Sequence, residues 1–309
     1  MQTDNNTPHS SRAALIGNAC ILIATIFWGV NVSFTKALIP DWLSPDAIIL
    51  VRLVGGCALM WIASLFVKCS PIQRGDWVKL GLGGCVGLFL FIYLFVTSLK
   101  YGNPIDISII MTLPPVFVIL INVIFRHRRP SWMEYLGVAV SMVGAVVVIL
   151  SGQSGKNGSD NLLGDLLAVA STLCYAFYLV ILEGPTARYR PINMLRWVFL
   201  FASVPMLFIL PGILHTTQPL LHSAAAAPWA EIIFILVGPT FLAYFLVQPA
   251  IKKIGSELVS LYQYLLPVFA TLTAVIMGLE HLKWIQVIAM GIIILGMILT
   301  NVGKRYRHS

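Results

Sequence analysis

Charge is scarce in this chain: only 10% of its 309 residues are Asp, Glu, Lys or Arg, while 58% are hydrophobic. A soluble globular domain carries about 25% charged residues, so that class is excluded and a polytopic membrane protein is indicated. Acid is scarcer than base, at 12 Asp and Glu against 20 Lys and Arg. No acidic residue falls at the centre of an apolar stretch; Asp106, Glu183 and Glu257 all lie within a turn or two of an end. A central proton-carrying carboxylate is therefore not expected, nor a deep anionic site for a cationic compound. A small molecule handled inside these spans should be neutral or zwitterionic, with an aromatic or apolar body.

Catalytic signatures are also missing. Gly152-Gln153-Ser154-Gly155 lacks the final glycine spacing of a nucleophile elbow, and Gly155-Lys156 has neither the upstream glycine nor the Ser or Thr of a phosphate loop. There is no His-Glu-x-x-His, and His9, His127, His215, His222, His281 and His308 all fall in expected loops or tails, so no metal site or cofactor is indicated. Cys20, Cys57, Cys69, Cys85 and Cys174 form no Cys-x-x-Cys and read as small apolar residues of helix interiors. The chain does not read as an enzyme.

What is present is apolar and periodic. A span needs about 20 mostly apolar residues to cross about 30 Å of hydrocarbon. Ten such stretches follow one another at 14–38, 46–67, 77–99, 104–125, 132–150, 163–182, 192–212, 229–251, 257–278 and 282–302. The first is too long for the apolar core of a signal peptide and reads as a retained span. The spans divide five and five at a Gly/Ser-rich linker, residues 152–161, between units at 12–151 and 162–303.

The net charge of +8 is distributed as a membrane protein requires, not as a nucleic-acid surface. With the N-terminus inside, the cytoplasmic side receives Arg12, Lys68, Arg74, Lys79, Arg126, Arg128, Arg129, Arg188, Arg190, Arg196, Lys252, Lys253, Lys304, Arg305 and Arg307. Lys36, Arg52, Lys100, Lys156 and Lys283 remain. That bias puts both termini in the cytoplasm and the protein in the cell (inner) membrane, with the lipid bilayer as its surroundings.

The two units are related. Leu113-Pro114-Pro115-Val116-Phe117 recurs as Leu265-Leu266-Pro267-Val268-Phe269, and the same offset carries Trp132 onto Trp284 and Gly144 onto Gly296. Leu15-Ile16-Gly17-Asn18 likewise resembles Leu163-Gly164-Asp165. A duplicated unit with an odd number of spans must lie inverted relative to its partner. The expected fold is an all-α polytopic membrane protein of ten transmembrane helices in two inverted five-helix repeats.

Polar residues inside the spans are the candidate site. Tyr93, Thr97 and Tyr101 recur every four residues on the third span, Ser171, Tyr175 and Tyr178 share a face of the sixth, and Trp28, Asn31 and Thr35 share one of the first. Tyr244 and Gln248 on the eighth and Tyr262, Gln263 and Tyr264 on the ninth complete the set. Such groups avoid lipid, so they either bond neighbouring helices or converge on a common interior. Pro114-Pro115 and Pro267 lie mid-span at matching places, where each should kink its helix, and Gly238-Pro239 and Gln248-Pro249 punctuate the eighth. Arg52 and Arg196 are intramembrane charges that must snorkel or find partners, Asp106 and Glu183 being candidates. Gly83 and Gly87, and Gly137, Ser141 and Gly144, form small-residue stripes for close helix packing, with a dimer face as the alternative.

At this point the chain resembles the EamA family of the drug/metabolite transporter superfamily, ten-span proteins that include bacterial amino acid exporters. The resemblance rests on Trp28-Gly29, Arg52, the two Pro-Val-Phe motifs and Gly278-Leu279-Glu280. It covers about Leu15 to Val302 and says almost nothing about substrate. The family's Gly-Glu step is matched by Glu280 in the second half but by Arg128 in the first, so Glu280 is read as a helix cap. The resemblance implies a central cavity lined by the first, third, fourth, sixth, eighth and ninth spans. On that basis Trp28, Asn31, Tyr93, Tyr101, Tyr175, Tyr178, Tyr244, Gln248 and Tyr262 are expected to bind a small-molecule substrate, with Pro115 and Pro267 bending at gates. The expected activity is secondary transport, as an exporter of small metabolites such as amino acids working by alternating access, in a monomer or weak homodimer. The alternatives are an intramembrane enzyme acting on a lipid-linked substrate and a passive channel.

Overall fold

The computed structural model describes residues 8–39, 41–126, 131–152, 158–208 and 226–308. Eight helices are long and apolar enough to cross a membrane: α1 Ala13–Leu38, α2 Pro45–Ser64, α3 Arg74–Tyr101, α4 Pro104–Phe125, α5 Trp132–Ser151, α6 Asp160–Arg188, α7 Pro191–Phe208 and α8 Ala226–Ile254. Two shorter apolar helices follow, α9 Tyr262–Ile276 and α10 Trp284–Thr300. Each corresponds to one of the ten expected stretches, and no strand occurs among the described residues. Hydrocarbon supplies no hydrogen bonds, so these apolar runs must satisfy their backbone internally as helices. The centre of the expected linker, residues 153–157, positions 127–130 of the basic cluster and positions 209–212 of the seventh stretch lie outside the described residues. The ends of the expected linker are helical, since one helix runs Trp132–Gly152 and the next begins at Gly158.

Local chemistry sets the helix ends. Asn103 accepts hydrogen bonds from the N–H groups of Ile105 at 2.8 Å and Asp106 at 3.4 Å, starting α4 with Pro104 in its first turn. Ser131 and Glu134 cap α5 reciprocally, at 3.3 and 3.2 Å. At α10 the corresponding acceptor is Gln286, which takes the Lys283 N–H at 2.8 Å. The capping expected of Glu280 is thus done by Gln286. Past the end of α9, Gly278 turns left-handed at φ 67°, and the Leu279 N–H bonds back to the Ala274 carbonyl at 2.9 Å.

Contacts between the two sets of five helices are reciprocal. Helix α1 packs along α8 and α9, and α6 packs along α3 and α4; α5 lies on α10, α2 on α7, and α4 on α9. The small-residue stripes are used up inside the chain. Gly137 and Gly144 face Gly296, Thr300 and Ile293 of α10, while Gly83 and Gly87 face Leu182 and Tyr178 of α6. A dimer face built on those glycines is therefore not available.

Three stretches widen to π-helix: Val51–Gly55 in α2, Gly83–Leu90 in α3 and Leu236–Leu242 in α8. The last two occupy corresponding places under the offset that relates the Pro-Val-Phe motifs. Helices α4 and α9 are broken at corresponding places too. In α4 a helix Pro104–Ile110 ends in a turn before a second one, Pro114–Arg126. In α9 one 3₁₀ turn, Tyr262–Leu265, precedes the helix Leu266–Ile276. The expected proline kinks are thus breaks. Pro114, Pro115 and Pro267 open the second segment, where their missing N–H would have had no helical partner.

The α5–α10 seam leaves no room for a side chain at Gly137, whose added Cβ would collide with the Gly296 carbonyl and Thr300, whereas Gly291 faces open space. Gly137→Val is expected to destabilise the protein by about 1–3 kcal/mol or more and Gly291→Ala to leave it unchanged; melting of the two variants in the same detergent checks this.

Candidate functional site

Both helix breaks open on one buried cavity. It is lined by Trp28, Asn31 and Val32 of α1, Arg52 of α2, Phe91 and Phe95 of α3, Met111 of α4, Tyr175 of α6, and Gln263 and Leu266 of α9. Met111 and Gln263 belong to the two breaks themselves. The cavity volume is about 30 Å³, room for about two waters. Anything larger requires the helices to part.

Arg52 is its one charge. It stands in the π-helical turn of α2 and is only 2% exposed. Its Nε donates to Thr240 Oγ1 at 3.1 Å, and its guanidinium carbon lies 5.8 Å from the centre of the Phe95 ring. Its Nη1 is buried without a partner. The acidic partners expected for it are elsewhere: Asp106 accepts from Gln286 Nε2 at 2.6 Å, and Glu183 is exposed. A charge at this depth costs about 2.5–3.5 kcal/mol on insertion scales, which a hydroxyl and a ring face offset only partly. Thr240 comes close because it sits in the wide turn of α8, against Gly56 of α2.

Four of the expected aromatic residues form one cluster, which reaches the cavity wall through Trp28 and Tyr175. Trp28 meets Tyr175 and Tyr244 edge-on, with ring centres 6.1 and 5.8 Å apart, and its indole N–H donates to the Pro239 carbonyl at 3.1 Å. Tyr178 stacks on Tyr175 at 5.9 Å and meets Tyr244 edge-on at 6.1 Å. The Tyr244 hydroxyl is buried without a partner among the described residues, one turn beyond the Thr240 that bonds Arg52. Asn31 lines the cavity while accepting from Thr35 at 3.3 Å.

The other expected residues are elsewhere. Tyr93 packs against Phe89, and α3 turns Phe91 and Phe95 to the cavity instead, since within the regular helix Phe91–Tyr101 these two share a face opposite that of Tyr93 and Thr97. Tyr262 packs against the α1–α8 contact, and Gln263 beside it lines the cavity. Gln248 accepts from Thr186 at 3.0 Å, joining α8 to α6. Arg196 lies over Trp61 and Trp197, 5.1 and 5.3 Å from their ring centres, in a cluster that includes Trp77. It is a charge seated in an aromatic belt rather than a counterpart of Arg52.

Polar ties close both ends. At one, Asp76 of α3 receives Arg188 Nη1 at 3.0 Å and the Tyr189 hydroxyl at 2.9 Å, both from the C-terminal end of α6. At the other, Asp106 and Gln286 tie α4 to α10, and Lys36 donates to the Leu99 and Gly102 carbonyls at 2.7 and 3.0 Å. Beside these, a polar recess of about 300 Å³ is lined by residues including Lys36, Lys100, Tyr101, Asn103, Glu280 and Lys283. Asp165, named above only as part of the repeated Leu163-Gly164-Asp165 motif, is a buried acid whose carboxylate oxygens have no partner among the described residues.

Known proteins resemble the chain over nearly its whole length. A model of the EamA-like transporter family matches residues 15–150 and 162–302. The uncharacterized transporter YyaM of Bacillus subtilis is 25% identical, with 89% of this chain and 90% of YyaM covered. An uncharacterized transporter of Archaeoglobus fulgidus is 22% identical, over 89% of this chain and 95% of its own length. A protein crystal structure superposes with a TM-score of 0.63 at 21% identity, covering 94% of this chain and 98% of that one, a likeness of fold alone.

The side chains of the Asp76–Arg188 ion pair are unequally buried, 51% exposed for Arg188 and 2% for Asp76. Asp76→Ala takes the acceptor from the Tyr189 hydroxyl, which keeps only the Gln73 N–H as a donor to it, and is expected to cost about 2–3 kcal/mol, whereas Arg188→Ala should cost about 1 kcal/mol or less. Thermal unfolding of both variants measures the difference.

Proposed function

Because this chain belongs to the EamA-like transporter family, it is a membrane transporter, and we propose that it is a secondary carrier that exports small metabolites such as amino acids by alternating access. One observation carries the reading: the interrupted turns of α4 and α9, equivalent in sequence, line the same buried cavity. Irregular backbone at membrane depth is tolerated only where protein or a polar cavity satisfies it, and paired broken helices mark substrate sites in carriers built from inverted repeats.

In this reading the units 12–151 and 162–303 are the two inverted repeats, and the reciprocal helix contacts are the surfaces on which they rock. Opening inward breaks the tie of Asp76 to Arg188 and Tyr189; opening outward breaks Asp106 from Gln286 and frees Lys36. The segments that begin at Pro115 and Pro267 pivot about the breaks. Trp28, Asn31, Tyr175, Tyr178 and Tyr244, joined by Phe91, Phe95 and Gln263, form the binding surface. Tyr101 lines the outer recess, Gln248 tethers α8 to α6 on the inner side, and Tyr93 and Tyr262 support the wall. Basic residues at the Asp76 end, Lys68, Arg74, Lys79, Arg188 and Arg190, support a cytoplasmic location for that end and for both termini, in the inner membrane. The glycine stripes are occupied within the chain, which favours a monomer.

Purified protein in liposomes should show saturable counterflow of an amino acid or related metabolite, and Trp28→Ala and Gln263→Ala should each reduce it about tenfold, a loss of about 1.4 kcal/mol of stabilisation. Flux proportional to concentration without exchange would identify a channel, and lipid turnover an enzyme. Reporter fusions at both termini should register in the cytoplasm.

A further inference from the structure

We infer that Arg52 and Tyr244 form an anchor for a carboxylate, so that the substrate is a small carboxylic acid with an aromatic or apolar body. The inference rests on the cavity being the carrier's binding site. Arg52 lies seven residues into α2 from Pro45, about 10 Å along the helix, and is enclosed by protein, which removes a lipid headgroup as its counter-ion. Its surroundings lack a partner among the described residues: Nη1 is buried and unbonded, and no acidic side chain of those residues lines the cavity.

The second observation is independent of the first. The Tyr244 hydroxyl, on a residue 1% exposed, is also without a hydrogen-bond partner among the described residues; Tyr244 stands one turn beyond Thr240, which bonds Arg52, and its ring meets that of the cavity-lining Trp28 at 5.8 Å. A buried guanidinium N–H and a buried phenol O–H, both unspent and near one another, present two donors of the kind a carboxylate accepts. Trp28, Phe91, Phe95 and Tyr175 offer ring faces and edges to the rest of the molecule. Thr240 holds the guanidinium from behind through Nε, leaving the Nη side to the ligand. A primary amine without a carboxylate would meet an unneutralised positive charge and is excluded.

The test compares 3-phenylpropionate and L-phenylalanine with 3-phenylpropionamide and phenethylamine, using thermal stabilisation of the purified full-length protein. Both carboxylates should bind about tenfold or more tightly than the amide, the increment of one charge-assisted pair, and the amine should not stabilise. Arg52→Gln should erase the preference for acid over amide, and Arg52→Lys should restore part of it. Where Arg52→Gln does not fold, Tyr244→Phe carries the test, weakening the acids about fivefold without affecting the amide, as loss of one hydrogen bond does. Equal stabilisation by acid, amide and amine, no stabilisation by either acid, or equal stabilisation by chloride overturns the inference. Counterflow of the same compounds separates it from the carrier reading: acids that bind but never exchange overturn the carrier alone, and amides that exchange as fast as acids overturn the anchor alone.

Discussion

Hydrocarbon has no hydrogen bonds to offer, and that constraint governs the rest of this structure. Ten apolar helices satisfy it along most of their length, and each departure from regularity is met by protein. The wide turn of α8 presents its Pro239 carbonyl to the indole of Trp28. Thr112 at the break in α4 donates to Ile109, and Ser33 of α1 donates to the Ala270 carbonyl just past the break in α9. Irregular backbone is gathered around a single interior, and the surrounding contacts of α1 and α6 keep lipid from it. The site is where regular helices were given up.

The same constraint explains how the two ends differ from the middle. At the ends, charged groups are tied to acids or carbonyls with water nearby, as Asp76 and Lys36 show. In the middle, Arg52 has a hydroxyl and a ring. The two intramembrane arginines therefore belong to different categories despite similar spacing from a preceding proline. Arg196 is partly exposed and reaches Ser64 and two tryptophan rings, though its Nε is buried without a partner, while Arg52 is walled in.

Much of this was legible in the sequence, because membrane spans are specified by local composition. The ten apolar stretches, the repeated Pro-Val-Phe motif and Arg52 as an intramembrane charge could be read from the sequence, whereas a shared interior for Trp28, Tyr175, Tyr178 and Tyr244 is what the family resemblance implies. What escaped depends on contacts far apart in the chain or on backbone detail. Spacing puts Tyr93, Thr97 and Tyr101 on one face of α3, but it is the opposite, aromatic face with Phe91 and Phe95 that lines the cavity, and periodicity alone does not say which of two faces turns inward. Mid-span prolines suggest a kink, and only the backbone shows that α4 stops and starts again. Thr240 as the partner of Arg52 is separated from it by most of the chain, and no periodicity links them.

The narrowness of the cavity has an electrical consequence. A membrane that stores energy as an ion gradient is insulated only as well as its carriers are, and a pathway holding a continuous file of water would leak protons. Here the interior narrows to about 30 Å³, with a fixed guanidinium on its wall that repels hydronium and metal cations.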